Sequence, residues 1–159
     1  MNPTNKLVFS LNLDRIQVGC DLQSSKRVLQ GMAELLTKGL GEEAKQKNIY
    51  HHLLEREKLG NTGIGNGVAI PHSRYAATKE SVVALMTMET PVDYDSPDGV
   101  PVDVVFGLLV PEDAKQEHLN LLAEIARLMS NPRHKAALAS STSSEDAMSL
   151  LRTWAKATG

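Results

Sequence analysis

Two valine-rich runs constrain the fold of this chain most. Residues 82–88 (VVALMTM) and 102–110 (VDVVFGLLV) carry apolar side chains at successive rather than alternate positions. Strands built from them are apolar on both faces and need cover on both. The turn chemistry of YDSPDG, residues 94–99, separates the two runs. Helical patterns flank the pair. Behind a serine cap at Ser24 or Ser25, Val28, Leu29, Met32, Leu35 and Leu36 recur at helical spacing to about Leu40, where Gly39 and Gly41 stop the helix. A second helix is expected over residues 42–58, with Ile49, Tyr50, Leu53 and Leu54 as its apolar stripe, and residues 16–18 read as a short strand ahead of both. After the valine runs, residues 114–129 carry Leu119, Leu122, Ile125 and Leu128, and Pro132 opens a short helical piece. Ser143 or Ser144 then caps a last helix through Leu150, Leu151 and Trp154, with Glu145 and Asp146 suited to its first turn. The order implies an α/β fold, a three-layer α/β/α sandwich with a mixed central sheet. Without an internal repeat, low-complexity tract or linker, residues 1–159 read as one domain.

Composition narrows the function. Seventeen Lys plus Arg against nineteen Asp plus Glu give a net charge of -2 with no long block of one sign, which disfavours a nucleic-acid partner. Aromatic residues are 4% of the chain, too few for a base-stacking platform. The single cysteine, Cys20, rules out an internal disulfide and a thiolate zinc site, and reads as a small buried residue. No signal-peptide pattern opens the chain, and its longest apolar run, residues 104–110, is strand-sized. A cytoplasmic protein without membrane insertion is therefore expected.

The informative segment is LGNTGIGNGVAIPHSR, residues 59–74, with glycines at 60, 63, 65 and 67. Glycine at this density is kept where φ must be positive or where something approaches the backbone closely. The N–H groups of Gly63, Gly65, Asn66 and Gly67 could form an anion-binding nest, which makes phosphate the first ligand to consider. No Lys-Ser or Lys-Thr pair follows, and GIGNG does not fit the dinucleotide fingerprint. Next come a strand-sized run, residues 68–70, and then Pro71, which ends the strand and leaves His72 at a strand end or in the following turn. A neutral imidazole held there is a nucleophile toward phosphorus or a general base. The alternative is plain: the glycines make a tight connection and His72 is a polar turn residue.

The whole stretch REKLGNTGIGNGVAIPHSR, residues 56–74, resembles the active-site segment of enzyme IIA domains of the bacterial phosphoenolpyruvate-dependent phosphotransferase system. It lies in the mannitol and fructose class and is most similar to the nitrogen-regulatory members. The helical segment after Ser25, PVDYDSPDGVPVDVVFGLLVP and EHLNLLAEIARLM sit where the family has theirs, so the resemblance covers nearly the whole chain. It implies that His72 accepts a phosphoryl group from an HPr-like phosphocarrier, with His118 and Arg56 close by, and that no cofactor or metal is needed. Read alone, Arg56 is a solvated helix-end charge and His118 an exposed first-turn residue. The resemblance also implies regulation of nitrogen metabolism and potassium transport through targets such as potassium transporters or sensor kinases. A sugar-specific (fructose/mannitol) enzyme IIA passing phosphate to a IIB domain is the alternative within the class, and a non-covalent anion-binding module the alternative outside it. Ser73 and Arg74 depart from the glycine that many relatives carry after the histidine.

The remaining candidates have simpler readings. His51 and His52 point about 100° apart on one helix and read as surface residues. His134 reads as a solvated helix residue. Asp93, Asp95, Asp98 and Asp103 surround turn residues and lack the calcium-loop pattern.

Overall fold

A computed structural model describes residues 3–41, 44–114 and 116–158. Its elements run α1 (Pro3–Ser10), β1 (Leu11–Cys20), α2 (Ser25–Thr37), α3 (Gln46–Leu59), β2 (Gly63–Gly65), β3 (Val68–Ala69), β4 (His72–Arg74), β5 (Val82–Val92), β6 (Val102–Val110), α4 (Gln116–Met129), α5 (Pro132–Ala139) and α6 (Ser144–Thr158). The strands form one mixed sheet of order β1-β5-β6-β3-β2, with β4 also paired to β6. β5 and β6 are antiparallel at its centre, β1 runs parallel to β5, β3 and β4 run parallel to β6, and β2 is antiparallel to β3.

The two valine-rich runs are the central pair, and alternation along them sorts two cores. Val82, Ala84, Met86, Val105 and Leu109 face α2 and α3. Val83, Leu85, Val104, Phe106, Leu108 and Val110 face the layer of α1, α4, α5 and α6. Gly107 lies where α2 crosses β6: a Cβ there would run into the side chain of Met32. The expected three-layer α/β/α sandwich with a mixed sheet is the architecture found.

Element boundaries shift for local reasons. Ser24 caps α2, accepting from the Arg27 N–H at 3.2 Å, but the helix stops at Thr37, short of Leu40, because Lys38 turns extended and Gly39 takes φ +80°. α3 starts at Gln46, not residue 42, because Lys45 is extended and gives its N–H to the Tyr75 hydroxyl at 3.2 Å; residues 42 and 43 lie outside the described residues. α4 starts at Gln116 rather than Ala114, with residue 115 outside the described residues, and its buried side is Leu121, Ile125 and Leu128, whereas Leu119 is 59% exposed. Ser143 caps α6 through the Asp146 N–H, and Asn131 caps α5 ahead of Pro132. β1 is far longer than residues 16–18, and α1 before it had no counterpart in the sequence reading. Two register shifts leave only Leu11, Ile16 and Cys20 buried in β1, a spacing with no strand period to recognise.

One irregularity positions the site. β3 and β4 lie end to end along the same edge of β6, Val68–Ala69 against Val104–Val105 and His72–Arg74 against Leu108–Val110. Pro71 bridges them: it has no N–H to give, but its carbonyl accepts the Leu108 N–H at 3.1 Å and keeps the chain tied to β6. His72 therefore does not end a strand but begins a new one.

Candidate active site

His72 is held at the start of β4 against a central strand, half-buried, with its Nδ1 2.6 Å from the Ile70 carbonyl oxygen. A carbonyl only accepts, so Nδ1 carries the proton and Nε2 the free lone pair. Burial lowers the pKa of His72, as does the charge of Arg56, while the bond to Ile70 opposes both. The ring is neutral and nucleophilic at Nε2 near neutral pH.

His118, in the first turn of α4, meets it: the ring centroids are 5.2 Å apart at 63°. The His118 pKa falls to about 4, through burial first and then the positive charge it would share with His72, Arg74 and Arg56. Its Nδ1 is buried without a hydrogen-bond partner. Arg56 enters from the last turn of α3, where its Nη1 donates to the Gly60 carbonyl at 2.7 Å. Neighbouring Glu57 fixes the turn that follows, accepting from the Thr62 N–H at 2.7 Å, the Thr62 hydroxyl at 2.5 Å and the Tyr94 hydroxyl at 3.1 Å. Three elements distant in sequence thus deliver His72, His118 and Arg56 to one cavity of about 530 Å³, which Arg74 also lines. A second cavity, of about 350 Å³, is also lined by His72 and Arg56, together with Gly63, Ile64 and Leu122. A larger one, about 620 Å³ between α2 and α3, holds none of the expected site residues.

The glycine segment is split. Gly63 reaches the smaller cavity beside His72, and its bare Cα is needed because a Cβ there would press on Ser96 and Asn61. Gly65, Asn66 and Gly67 instead form the turn between β2 and β3, near the start of β6, where the Gly67 carbonyl accepts the Val104 N–H. His72 pairs with Leu108, four residues further along β6, or roughly 13 Å at strand rise. The Asn66 N–H is already taken by the Asp98 carboxylate at 2.9 Å. The structure does not bring these three residues to the histidine, because the chain doubles back through β3 before reaching it.

His51 and His52 are exposed, as expected, yet both line the larger His72 cavity. His52 donates from Nδ1 to the Asn48 carbonyl and meets the Tyr75 ring edge-on at 5.3 Å. His52, Glu55, Arg56 and Leu59 occupy positions i, i+3, i+4 and i+7 of α3, a helix face that Arg56 alone would have marked. His134 is not a solvated residue: it stacks on Trp154 at 4.0 Å and bonds the Leu128 carbonyl. Asp98 caps the backbone of Asn66 and Val100, and Asp103 pairs with Lys135 at 2.6 Å, so these carboxylates serve turns and packing. Among the described residues no group of three or more His, Cys, Asp or Glu side chains is arranged to hold a metal, and no helix is long and apolar enough to cross a membrane. Cys20 is buried, and burial pushes its thiol up to about 11.

The site can be set beside known proteins. The chain is 48% identical over 106 residues to a nitrogen regulatory protein of Pseudomonas aeruginosa, covering 67% of this chain and 68% of that one. It is 30% identical over 124 residues to a fructose-specific EIIABC component of the phosphotransferase system from Bacillus subtilis, which covers 78% of this chain but 19% of that protein. The crystal structure of nitrogen regulatory protein IIA-Ntr from Neisseria meningitidis superposes with a TM-score of 0.85 at 36% identity, covering 91% of this chain and 98% of that one. Residues 9–154 match the family described as the phosphoenolpyruvate-dependent sugar phosphotransferase system, EIIA 2. With the fold, the sequence match and the histidine cavity in agreement, the chain belongs to this enzyme IIA family and is a phosphotransferase component that is phosphorylated on histidine.

Proposed function

We propose that His72 Nε2 is the phosphoryl acceptor, that the donor is an HPr-like phosphocarrier, and that residues 1–159 act as one enzyme IIA domain. The observation that carries the reading is the bond from His72 Nδ1–H to the Ile70 carbonyl, which fixes the free lone pair on Nε2 in a cavity shared with Arg56 and His118. In the transfer, the N–P bond of the carrier breaks as the Nε2–P bond forms, and the ring N–H proton stays on Nδ1, donated to the Ile70 carbonyl. Arg56 places planar N–H donors toward phosphoryl oxygens. His118, whose buried Nδ1 has no acceptor to donate to, keeps its proton on Nε2 and offers that N–H to the same group. Loosely held phosphoryl transfer needs positioning and charge stabilisation, which two neutral imidazoles and a guanidinium supply.

The output we propose is regulatory: control of nitrogen metabolism and potassium transport through target proteins, in the cytoplasm. The 48% identity to a nitrogen regulatory protein supports it over the sugar-specific alternative, whose fructose relative is 30% identical and far longer than the matched region. A non-covalent anion module loses its main support, since the Gly65–Asn66–Gly67 turn holds the Asp98 carboxylate on its N–H. The test is intact-mass measurement after incubation with phosphoenolpyruvate, enzyme I and an HPr-type carrier. One acid-labile phosphate on the wild type and none on His72→Ala is the expected result. No phosphate on folded wild-type protein, with nitrogen-type or sugar-type carriers, would sink the assignment.

A further inference from the structure

Arg74 departs from the pattern noted in the sequence, and the structure gives it a setting. It lies on β4 two residues from His72, hence on the same face of the strand, with the two Cα atoms about 6.6 Å apart along it. Both residues line the 530 Å³ cavity, together with Arg56 and His118. Arg56 has one N–H committed to the Gly60 carbonyl. Among the described residues the only carboxylate lining the cavity, Glu55, is bound to Lys58 at 3.0 Å. Among the described residues the guanidinium of Arg74 has no hydrogen-bond or ion-pair partner. Its charge also reaches His118, whose protonation it opposes.

We infer that Arg74 is a second phosphoryl-binding guanidinium, reaching from β4 to the oxygens of the group on His72 that Arg56 approaches from α3. This rests on the phosphotransfer reading of His72. Arg74 stands on β4 and Arg56 on α3, and the three phosphoryl oxygens offer each guanidinium an acceptor of its own. An arginine already tied into an ion pair would have to break it to do so, and Arg74 does not. A guanidinium presents a planar fork of donors that a lysine ammonium lacks, so Lys restores the charge but not the paired geometry.

The test separates phosphoryl binding from carrier docking. Transfer from purified phosphorylated HPr-type carrier is followed by rapid-quench at rising carrier concentration for wild type, Arg74→Ala, Arg74→Lys and His72→Ala, with circular dichroism confirming folding. Arg74 is exposed, so both substitutions should leave the fold intact, and Arg74→Gln serves in place of any variant that does not fold. The expected result is a maximal rate about tenfold lower for Arg74→Ala, one tenfold being the loss of about 1.4 kcal/mol in the transition state. Arg74→Lys should fall between Arg74→Ala and wild type. A maximal rate equal to wild type, with or without a raised KM, overturns the inference, because docking alone leaves the saturated step untouched. Failure of the wild type itself to take phosphate removes the His72 reading and this inference with it, whereas normal wild-type transfer beside a normal Arg74→Ala rate removes only the inference.

Discussion

His72 and His118 both titrate below the ordinary histidine range, His118 at about 4. Each is half-buried beside another positive or potentially positive group, and a neutral ring is the cheaper state there. For activity, the nucleophile stays uncharged below the pH at which a free imidazole protonates. Phosphoryl acceptance is therefore expected to be flat from about pH 8 to about pH 6.5, falling only below that. A rate–pH profile with its inflection at or above 6.5 would contradict the burial argument. For stability the sign follows from proton counting: the unfolded chain binds more protons than the native one once pH drops below the unfolded value. These two histidines thus withdraw stability as pH falls from about 6.5 toward about 4. The His118 ring resonances should shift with a midpoint near 4 in an NMR titration. Arg56 is testable at the same scale. Replacing it by Ala should slow transfer about 10- to 100-fold, the range of a charge-assisted hydrogen bond to a developing phosphoryl charge, with little change in urea midpoint.

Between α3 and β2 a short segment decides where Arg56 points. Glu57 accepts three hydrogen bonds from Thr62 and Tyr94, and the Gly60 N–H bonds the Glu57 carbonyl at 3.2 Å. The clamp closes the helix end into a fixed turn whose Gly60 carbonyl holds the guanidinium. Burial and the adjacent carboxylate push the Tyr94 phenol up, so it remains a donor throughout the working range. Glu57→Ala removes the acceptor and leaves buried donors without a partner, which should cost about 1–3 kcal/mol of stability. Transfer should slow as well, although Glu57 lines neither cavity beside His72. The checks are a urea titration and a transfer assay at a temperature where the variant is folded. Full stability together with full rate would show that the clamp is not what positions Arg56.

Across the whole molecule, the sheet is squeezed between two helical layers, and Gly107 marks the tightest crossing. Gly107→Ala forces its methyl into Met32 of α2, and overpacking of this kind costs about 1–3 kcal/mol. Because neither Gly107 nor Met32 lines a cavity beside His72, transfer per folded molecule should be unchanged, which thermal unfolding and an active-fraction assay would reveal together. Phosphorylation acts on the same scale electrostatically: it adds about -1.5 to -2 at pH 7 to a chain whose formal charge is -2. The phosphorylated form should elute distinctly later on anion exchange, and equal retention would mean that proton uptake offsets the added charge.

The sandwich and its central strands were legible in the sequence because continuous apolar runs and helical periodicity are local signals that burial on both faces imposes directly. Irregular elements were not: the bulged β1 buries three residues without a period, and α1 is too short to display one. His72, the proposed acceptor, could be singled out from its place after a glycine-rich segment and a proline. Its partners could be named only from a family resemblance, because nothing in the spacing of Arg56, His72 and His118 shows that α3, β4 and α4 converge. Only the tertiary structure decided that the turn at Gly65–Gly67 meets β6 about four residues, roughly 13 Å of strand, before the histidine does, because β3 and β4 share one edge of β6 across Pro71. It also placed Arg74 beside His72, since strand alternation becomes usable only once His72 is known to open a strand. Sequence alone determines which residues can do the chemistry and which faces must be buried; the distances among residues far apart in the chain are set by sheet order and helix packing, and those are properties of the folded whole.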